Sequence, residues 1–173
     1  MDSSADLICL TYCSTSTFPA KSGSFGVHPE VTRILVHSRR NNRKREIGGV
    51  LHFGDGRFFQ YLEGPADDVD RLYATICRDD RHDNVQRLTR RPIRSRRFAD
   101  WSMKFVAIER LVDQVLRRHG MDEFDPYQFT PAVIDDLVVS CTQAPEEAPD
   151  AEAQIETQPN PPRRKGLFAR LFG

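Results

Sequence analysis

The chain has 173 residues, of which 39% are hydrophobic and 29% are charged. Its 25 Lys and Arg residues balance 25 Asp and Glu residues. This balance excludes a surface that is positive throughout, as binding to nucleic acids or anionic lipids requires. The composition favours one small domain with polar extensions, and the length leaves little room for two full-sized domains.

The sequence also favours a cytoplasmic protein. Its first residues show neither the basic nor the apolar region of a secretory signal, and no apolar run approaches the roughly 18 residues of a membrane span. The four cysteines are scattered and form no CxxC pair: Cys9, Cys13, Cys77 and Cys141. We therefore expect them to be reduced packing thiols.

The first predicted elements are a strand and a helix. Apolar residues share one face of the run Leu7–Tyr12, which predicts a strand. A loop rich in Ser, Thr, Gly and Pro follows over residues 14–26. Apolar residues then recur at helical spacing over residues 31–38, and Asn41 and Asn42 mark the end of this helix.

A hairpin and a second helix come next. Two apolar runs, residues 48–53 and 57–62, flank the turn signal Gly-Asp-Gly at 54–56, which predicts a β-hairpin. Pro65 suits the first turn of a helix, and apolar residues continue at helical spacing over residues 69–77.

An Arg-rich strand is predicted over residues 85–93 and a last strand over 101–106. Apolar spacing predicts one more helix over residues 108–115 and another that begins at Thr130-Pro131. The order βαββαββ favours an α+β fold, a ferredoxin-like sheet with two core helices on one face. The two C-terminal helices, or a partner, must cover the other face.

The C-terminal segment separates its charges. Residues 142–160 hold five acidic residues and no basic one, whereas residues 161–173 hold four basic residues and no acidic one. The acidic, Pro-rich stretch is predicted to be a disordered linker. Residues 163–172 combine basic and apolar side chains, so they suit either weak contact with a membrane or partner, or a frayed tail.

Common enzyme signatures are absent, since the sequence has no GxxxxGK[ST], GxGxxG, HExxH or GxSxG motif. The five histidines are too dispersed to indicate a metal site. Six arginines fall within residues 87–97. They suit an anionic partner or an exposed edge strand that charge protects from aggregation, and the overall charge balance favours the edge strand.

Polar residues inside apolar strands are the most informative feature. Tyr12 ends the first strand on its apolar face, and Gln60 lies between two large apolar residues that share its face. A buried amide needs hydrogen-bond partners, and Tyr12 is a candidate. Trp101 and Met103 are two residues apart, so they are predicted to share a face of the last strand.

Together these residues resemble the BLUF domains, a family of bacterial blue-light sensors that hold FAD. The resemblance spans about residues 7–105. It rests on Leu-Thr-Tyr-Cys-Ser (10–14), Arg-Asn-Asn (40–42), Ile-Gly-Gly-Val-Leu (47–51), Phe-Phe-Gln-Tyr-Leu-Glu-Gly (58–64), Ile-Cys-Arg-Asp-Asp-Arg-His-Asp-Asn-Val (76–85) and Arg-Arg-Phe-Ala-Asp-Trp-Ser-Met (96–103). One departure is Gly48, which stands where family members commonly carry threonine.

The resemblance implies FAD as the cofactor, with its flavin ring between the two core helices. Two isoleucines flank the ring in this family, and an asparagine and a glutamine bond its polar edge. The matching positions, with weaker candidates at the end, are Ile34, Ile76, Asn41, Asn42, Gln60, Ser14, Arg81 and His82.

The resemblance also implies a mechanism. Tyr12 gives an electron and a proton to the photoexcited flavin through Gln60. When the electron returns, Gln60 stays rotated or tautomerised, and its changed hydrogen bond shifts the absorption to the red. Trp101 and Met103 would relay this change to the C-terminal helices. No substrate is turned over, so we do not expect an enzyme.

By the same resemblance, residues 1–106 form the photosensory domain, residues 107–141 a helical cap and residues 142–173 the linker and its basic tip. As a short member, the chain would signal through a downstream protein partner or through a homo-oligomer, a dimer or larger. No nucleic-acid partner is expected. Two other classes stay open: an RNA-binding module that uses the Arg-rich strand, and a small hydrolase for an acidic substrate.

Overall fold

The computed structural model describes residues 6–19, 28–105 and 109–144. Within these ranges strands and helices alternate before two further helices follow. The elements are β1 (Leu7–Ser16), α1 (Pro29–Arg43), β2 (Gly48–Gly54), β3 (Arg57–Pro65), α2 (Ala66–Ile76), β4 (His82–Pro92), β5 (Lys104–Phe105), α3 (Glu109–Arg118) and α4 (Pro131–Gln143), with a short 3₁₀ helix at Pro126–Gln128.

The strands form one sheet in the order β4-β1-β3-β2-β5. β1 lies between β3 and β4 and is antiparallel to both, whereas β5 runs parallel to β2. This arrangement confirms the predicted α+β, ferredoxin-like fold. It also makes the Arg-rich strand β4 an edge strand. This position agrees with the interpretation that its arginines protect an exposed edge from aggregation.

Strand alternation divides the apolar side chains between two faces of the sheet. On the helix face, residues such as Leu10, Leu51 and Leu62 pack with α1 and α2. On the cap face, residues such as Val50 and Phe59 pack with α3 and α4. The C-terminal helices therefore cover the face that the sequence analysis left open.

The two helices of the helix face make little direct contact with each other. α1 packs on β2, and α2 packs on β1 and β3. The apolar side of α2 is incompletely covered, because Leu72, Tyr73 and Ile76 are only partly buried against the helix-face core. The fold thus leaves apolar surface beside the central strands.

β1 is longer than predicted and β5 is shorter. β1 continues to Ser16 because Thr15 and Ser16 pair with the first residues of β4. Both residues are polar, so the apolar pattern of the sequence did not extend the predicted strand to them. β5 does not begin at Trp101, because the amide of Trp101 bonds the carbonyl of Phe98 in a turn. The predicted residues Val106 and Ile108, and the charged tail beyond Ala144, lie outside the described residues.

Gly48 stands where the turn before β5 approaches β2 closely. A Cβ atom on Gly48 would overlap the carbonyl oxygen of Phe98, and the amide of the next residue, Gly49, bonds the carbonyl of Trp101 at 3.3 Å. The departure from threonine therefore has a packing reason in this chain. The turn lies directly against the backbone of β2.

The cap is fastened to the sheet at the end of β1 and along β4. The hydroxyl of Tyr127 bonds Thr15 at 2.9 Å and donates to the carbonyl of Asn84 at 3.1 Å. Arg91 of β4 pairs with Asp135 of α4. Thr130 caps α4, which confirms the predicted start of this helix.

Candidate functional site

Tyr12 and Gln60 meet on the helix face, at the centre of the sheet. The register of β1 and β3 places them directly opposite each other. The hydroxyl of Tyr12 donates a hydrogen bond to Oε1 of Gln60, and both side chains are buried. Two polar groups that are satisfied by each other therefore lie inside an otherwise apolar core.

Met103 completes a chain of three side chains. Nε2 of Gln60 donates to the sulfur of Met103 at 3.2 Å, and Met103 is buried. A thioether is a weak acceptor, so this contact satisfies the amide poorly. A stronger acceptor placed beside Nε2 of Gln60 would displace the sulfur.

Trp101 lies on the other side of the sheet from Met103. Met103 packs in the helix-face core, whereas Trp101 packs against the cap-face core. The prediction that the two residues share one face is therefore wrong. The reason is the turn at Phe98–Trp101, which ends before β5 begins and breaks the strand alternation.

Asn42 holds the backbone that precedes β5. Its Nδ2 donates to the carbonyl of Ser102 at 2.9 Å, and the side chain is buried. Arg39, one turn earlier on α1, bonds the carbonyl of Met103 at 3.0 Å. Asn41, by contrast, is exposed. The two asparagines lie within the last turn of α1, which ends at Arg43, and do not cap it.

A second polar group lies at the start of β4. Ser14 is buried, and its Oγ lies 2.8 Å from Nδ1 of His82. Arg81 forms a two-point ion pair with Asp79, at 2.9 and 2.5 Å. The His82 ring also packs 4.5 Å from the ring of Phe58 and 6.3 Å from that of Tyr12. These residues border the Tyr12–Gln60 pair.

Ile34 and Ile76 come from the two different helices. Ile34 is buried on α1, and Ile76 is partly buried at the end of α2. Both belong to the helix-face core that contains Tyr12. The structure thus brings together one apolar residue from each helix and the polar Tyr12–Gln60 pair.

Burial sets the protonation of the polar residues. It raises the pKa of Tyr12, and the negative charge of Asp79 raises it further. The phenol therefore keeps its proton at every ordinary pH. Burial lowers the pKa of His82 to about 4, so His82 is neutral at pH 7.

Three residues near the site are not among the predicted site residues. Tyr73 of α2 lies with its ring 5.7 Å from that of Tyr12, and its place on the apolar side of α2 was the available signal. Asp79 acts through its charge and its ion pair with Arg81. Lys104 is a charged residue inside a buried strand. The available signal was a lysine within the predicted strand over residues 101–106.

We expect the neutral state of His82 to make the protein acid-sensitive. The unfolded chain takes up this proton near the usual pKa of 6.5, whereas the folded protein does so only near 4. The free energy of unfolding contributed by His82 therefore falls as the pH is lowered from 6.5 to 4, by up to about 1.4 kcal/mol per pH unit. Urea unfolding of the wild type and of His82→Asn across this range measures the difference.

The matched control is His37→Asn, which removes an exposed imidazole. We expect the control to keep the acid sensitivity of the wild type, and His82→Asn to lose that part of it. Equal pH dependence in His82→Asn and the wild type would contradict a neutral, partly buried imidazole.

The fold and the site define a class of protein: an α+β binding module with a hydrogen-bonded Tyr–Gln pair beside apolar helix surface. Comparison with known proteins identifies the family. The model of the BLUF family, described as sensors of blue light using FAD, matches residues 7–104. The chain belongs to this family.

Known relatives agree with this assignment. The chain is 37% identical over 75 residues to the blue light- and temperature-regulated antirepressor BluF of Escherichia coli, and 30% identical over 158 residues to the photoactivated adenylate cyclase subunit beta of Euglena longa. These matches cover 43% and 91% of this chain but only 19% and 16% of the relatives. The chain thus spans less than a fifth of these curated relatives.

Solved structures match more completely. The photo-activated state of BlsA superposes with a TM-score of 0.74 at 27% identity, and the match covers 82% of this chain and 99% of BlsA. The dark-state BLUF protein BlrB gives a TM-score of 0.64 at 27% identity, with 80% of this chain and 96% of BlrB covered. The cap helices are thus part of what these structures share with this chain, because the matches extend well beyond the residues of the family model.

FAD is the cofactor of this family, and the residues present fit a flavin. A flavin ring is flat and apolar on its faces, and its edge carries carbonyls and an N–H group. Partly covered Ile76 and buried Ile34 offer apolar contact, and Gln60 offers an amide with a weakly held donor.

No helix of the described residues is long and apolar enough to cross a membrane.

Proposed function

We propose that Tyr12 and Gln60 are the photochemical pair of this blue-light sensor. One observation carries the proposal: the buried hydrogen-bonded chain from Tyr12 through Gln60 to Met103. Gln60 is its middle member, because its Oε1 accepts from Tyr12 while its Nε2 donates to Met103. A change at Gln60 therefore affects both of its neighbours.

When bound, the flavin supplies a chromophore that absorbs blue light and becomes an oxidant. Tyr12 holds a proton at its phenol oxygen, and that proton points to Oε1 of Gln60. If the amide turns over, Nε2 faces Tyr12 and Oε1 faces the sulfur of Met103. The bond from Tyr12 to Oε1 is lost because Nε2 now faces the phenol, and the contact with Met103 is lost because the thioether has no proton to give to Oε1. The two orientations of Gln60 thus differ in their contact with Met103.

We also propose the residues that hold the cofactor. Ile34 and Ile76 would flank the ring, and Gln60 and Asn42 would face its polar edge, where an amide offers a donor and an acceptor side by side. For Asn42 this requires its bond to Ser102 to be shared or exchanged. Exposed Asn41 is a weaker candidate, as are Ser14 on β1, Arg81 just before β4 and His82 at its first position.

We propose that the light signal leaves through the segment that contains Trp101 and Met103. Residues 1–106 would act as the photosensory domain, residues 107–141 as a helical cap and residues 142–173 as a linker with a basic tip. The described residues would act as a sensor without catalysis of their own. BlsA and BlrB, which this chain covers almost completely, support this proposal better than the much longer cyclases do.

The output would reach a separate protein, or a second copy of this chain in a homo-oligomer. The E. coli relative is an antirepressor by name, which supports an output through a protein partner. A cytoplasmic location would suit such a partner. The balanced charge and the ion pairs of Arg90 with Asp70 and Arg91 with Asp135 give no support to a nucleic-acid partner.

The proposal predicts a yellow protein with a reversible response to blue light. We expect the purified chain, loaded with FAD, to show a red shift of its flavin absorption on illumination and to recover in the dark. Absorption spectra before, during and after illumination measure both steps. Buffer with free FAD at the same concentration is the control, and it should show no shift.

Two results would contradict the proposal. One is a chain that stays colourless after FAD is added and that binds RNA with strong salt dependence, as an RNA-binding module would. The other is turnover of an acidic substrate that is lost when Arg81 or Asn42 is replaced, as a hydrolase would show.

A further inference from the structure

Lys104 is a buried cation that the proposed photochemistry does not use. Its side chain is 0% exposed, which is rare for lysine because a buried ammonium must be paired or hydrogen-bonded. Lys104 pairs with Val50 across β2 and β5, so it lies on the cap face. Its neighbour in sequence, Met103, lies on the helix face.

The ammonium of Lys104 joins two parts of the cap face. It donates a hydrogen bond to the carbonyl of Ala144, the residue that caps the C-terminus of α4. It also lies 4.4 Å from the ring centroid of Trp101. A cation is favourable both at the negative end of a helix and over an indole ring.

The position of Lys104 in the chain connects these contacts to Gln60. The sulfur of Met103 accepts the hydrogen bond from Gln60, and one peptide bond separates Met103 from Lys104. The backbone here is anchored to α1, because Asn42 and Arg39 bond the carbonyls of Ser102 and Met103. A displacement of Met103 therefore moves Lys104 on the opposite face.

We propose that Lys104 is the positioning residue that couples the Gln60–Met103 contact to Trp101 and to the end of α4. Release of Met103 by Gln60 would shift β5 and pull the ammonium from the Ala144 carbonyl and from the Trp101 ring together. The last turn of α4 would then loosen where the chain continues into the charged tail. This inference rests on the proposed function of Gln60.

The sequence supplies a probe for this coupling. Trp101 is the single tryptophan of the chain, so tryptophan fluorescence reports the surroundings of this one ring, which include the Lys104 ammonium. Amide hydrogen exchange over residues 139–144 reports the last turn of α4. Amide hydrogen exchange does not depend on the flavin spectrum, so it measures the coupling separately from the photochemistry.

The test uses the full chain with FAD bound, as wild type and as Lys104→Met. Methionine keeps the length and burial of the side chain but loses the charge. In the dark, we expect Lys104→Met to exchange amides 139–144 at least about tenfold faster, as loss of a charge-assisted hydrogen bond implies. Its tryptophan emission should also shift. Blue light should produce both changes in the wild type and no further change in Lys104→Met, although the variant keeps its red shift.

Lys44→Met, which replaces an exposed lysine, is the matched control and should behave as wild type. Lys104→Arg, which keeps the charge, should restore part of the light response. If Lys104→Met does not fold, the wild type alone decides. Its changes in fluorescence and in exchange over 139–144 must recover in the dark at the rate of the absorption spectrum.

Three outcomes would overturn the inference. One is a light-induced increase in exchange over 139–144 in Lys104→Met that equals that of the wild type. The second is a wild type with a normal red shift but unchanged exchange in α4, which contradicts the coupling and spares the proposed function. The third is a wild type without a red shift, which contradicts both.

Discussion

Gln60→Leu is expected to abolish the red shift while the protein still folds and binds FAD. Leucine has nearly the volume of glutamine but neither a donor nor an acceptor, so the bonds to Tyr12 and Met103 disappear together. The helix-face core around position 60 is apolar, with Phe58 and Leu62 as same-face neighbours, and it accepts a leucine. Difference spectra of the FAD-loaded variant under blue light measure the effect.

Tyr12→Phe tests the other end of the same hydrogen bond. The variant keeps the ring and its contacts with Tyr73 and His82, and it loses only the hydroxyl. We expect loss of the red shift here also. Burial raises the pKa of Tyr12, so its phenol stays protonated and can donate to Gln60, whereas phenylalanine has no hydroxyl.

Tyr73→Phe is the matched control for the tyrosine. It removes a hydroxyl from a partly buried ring 5.7 Å from that of Tyr12, on the same side of the sheet. We expect this control to keep the red shift. A normal and reversible shift in Gln60→Leu or in Tyr12→Phe would refute the proposed mechanism and leave the fold untouched.

The strands that carry Tyr12 and Gln60, and the helices around them, could be predicted because each obeys a local rule. The turn at residues 54–56 fixes the hairpin that contains Gln60, and Asp55 and Gly56 both adopt the positive φ that such a turn needs. Thr130-Pro131 starts α4 as capping predicts. The site residues could be recognised only as a set, through the family resemblance. Each of them taken alone also suits a purely structural role.

The segment between β4 and β5 could not be predicted, because no local rule governs it. Trp101 and Met103 have strand spacing in the sequence, yet a turn places them on opposite faces. That turn is held by long-range contacts to Gly49, Asn42 and Glu63. Such contacts depend on the assembled sheet, so periodicity carries no information about them.

Glu63 holds this turn through a buried hydrogen bond to the amide of Phe98. Its carboxylate is fully buried on β3, accepts the amide of Phe98 at 2.5 Å and accepts the hydroxyl of Tyr61 at 2.9 Å. Burial and the nearby charge of Glu63 raise the pKa of Tyr61, so its hydroxyl remains a donor. The carboxylate thus satisfies two buried donors that nothing apolar could satisfy.

Glu63→Leu is therefore expected to lower the free energy of unfolding by about 2–5 kcal/mol, since it leaves two buried donors without an acceptor. Glu63→Gln, whose single oxygen accepts from one donor, should cost about half as much. Urea denaturation of the FAD-loaded proteins measures both. Glu123→Gln, which changes an exposed carboxylate, is the control and should leave stability unchanged.

Stability and light response should separate in Glu63→Gln. Gln60 and Tyr12 lie on the helix face and keep their bond, so the red shift should form with its usual size. The turn at Phe98–Trp101 loses part of its anchor, so the contact between Met103 and Gln60 should weaken and the rate of dark recovery should change. An unchanged recovery rate in a destabilised Glu63→Gln would show that the turn supports the fold without positioning Met103.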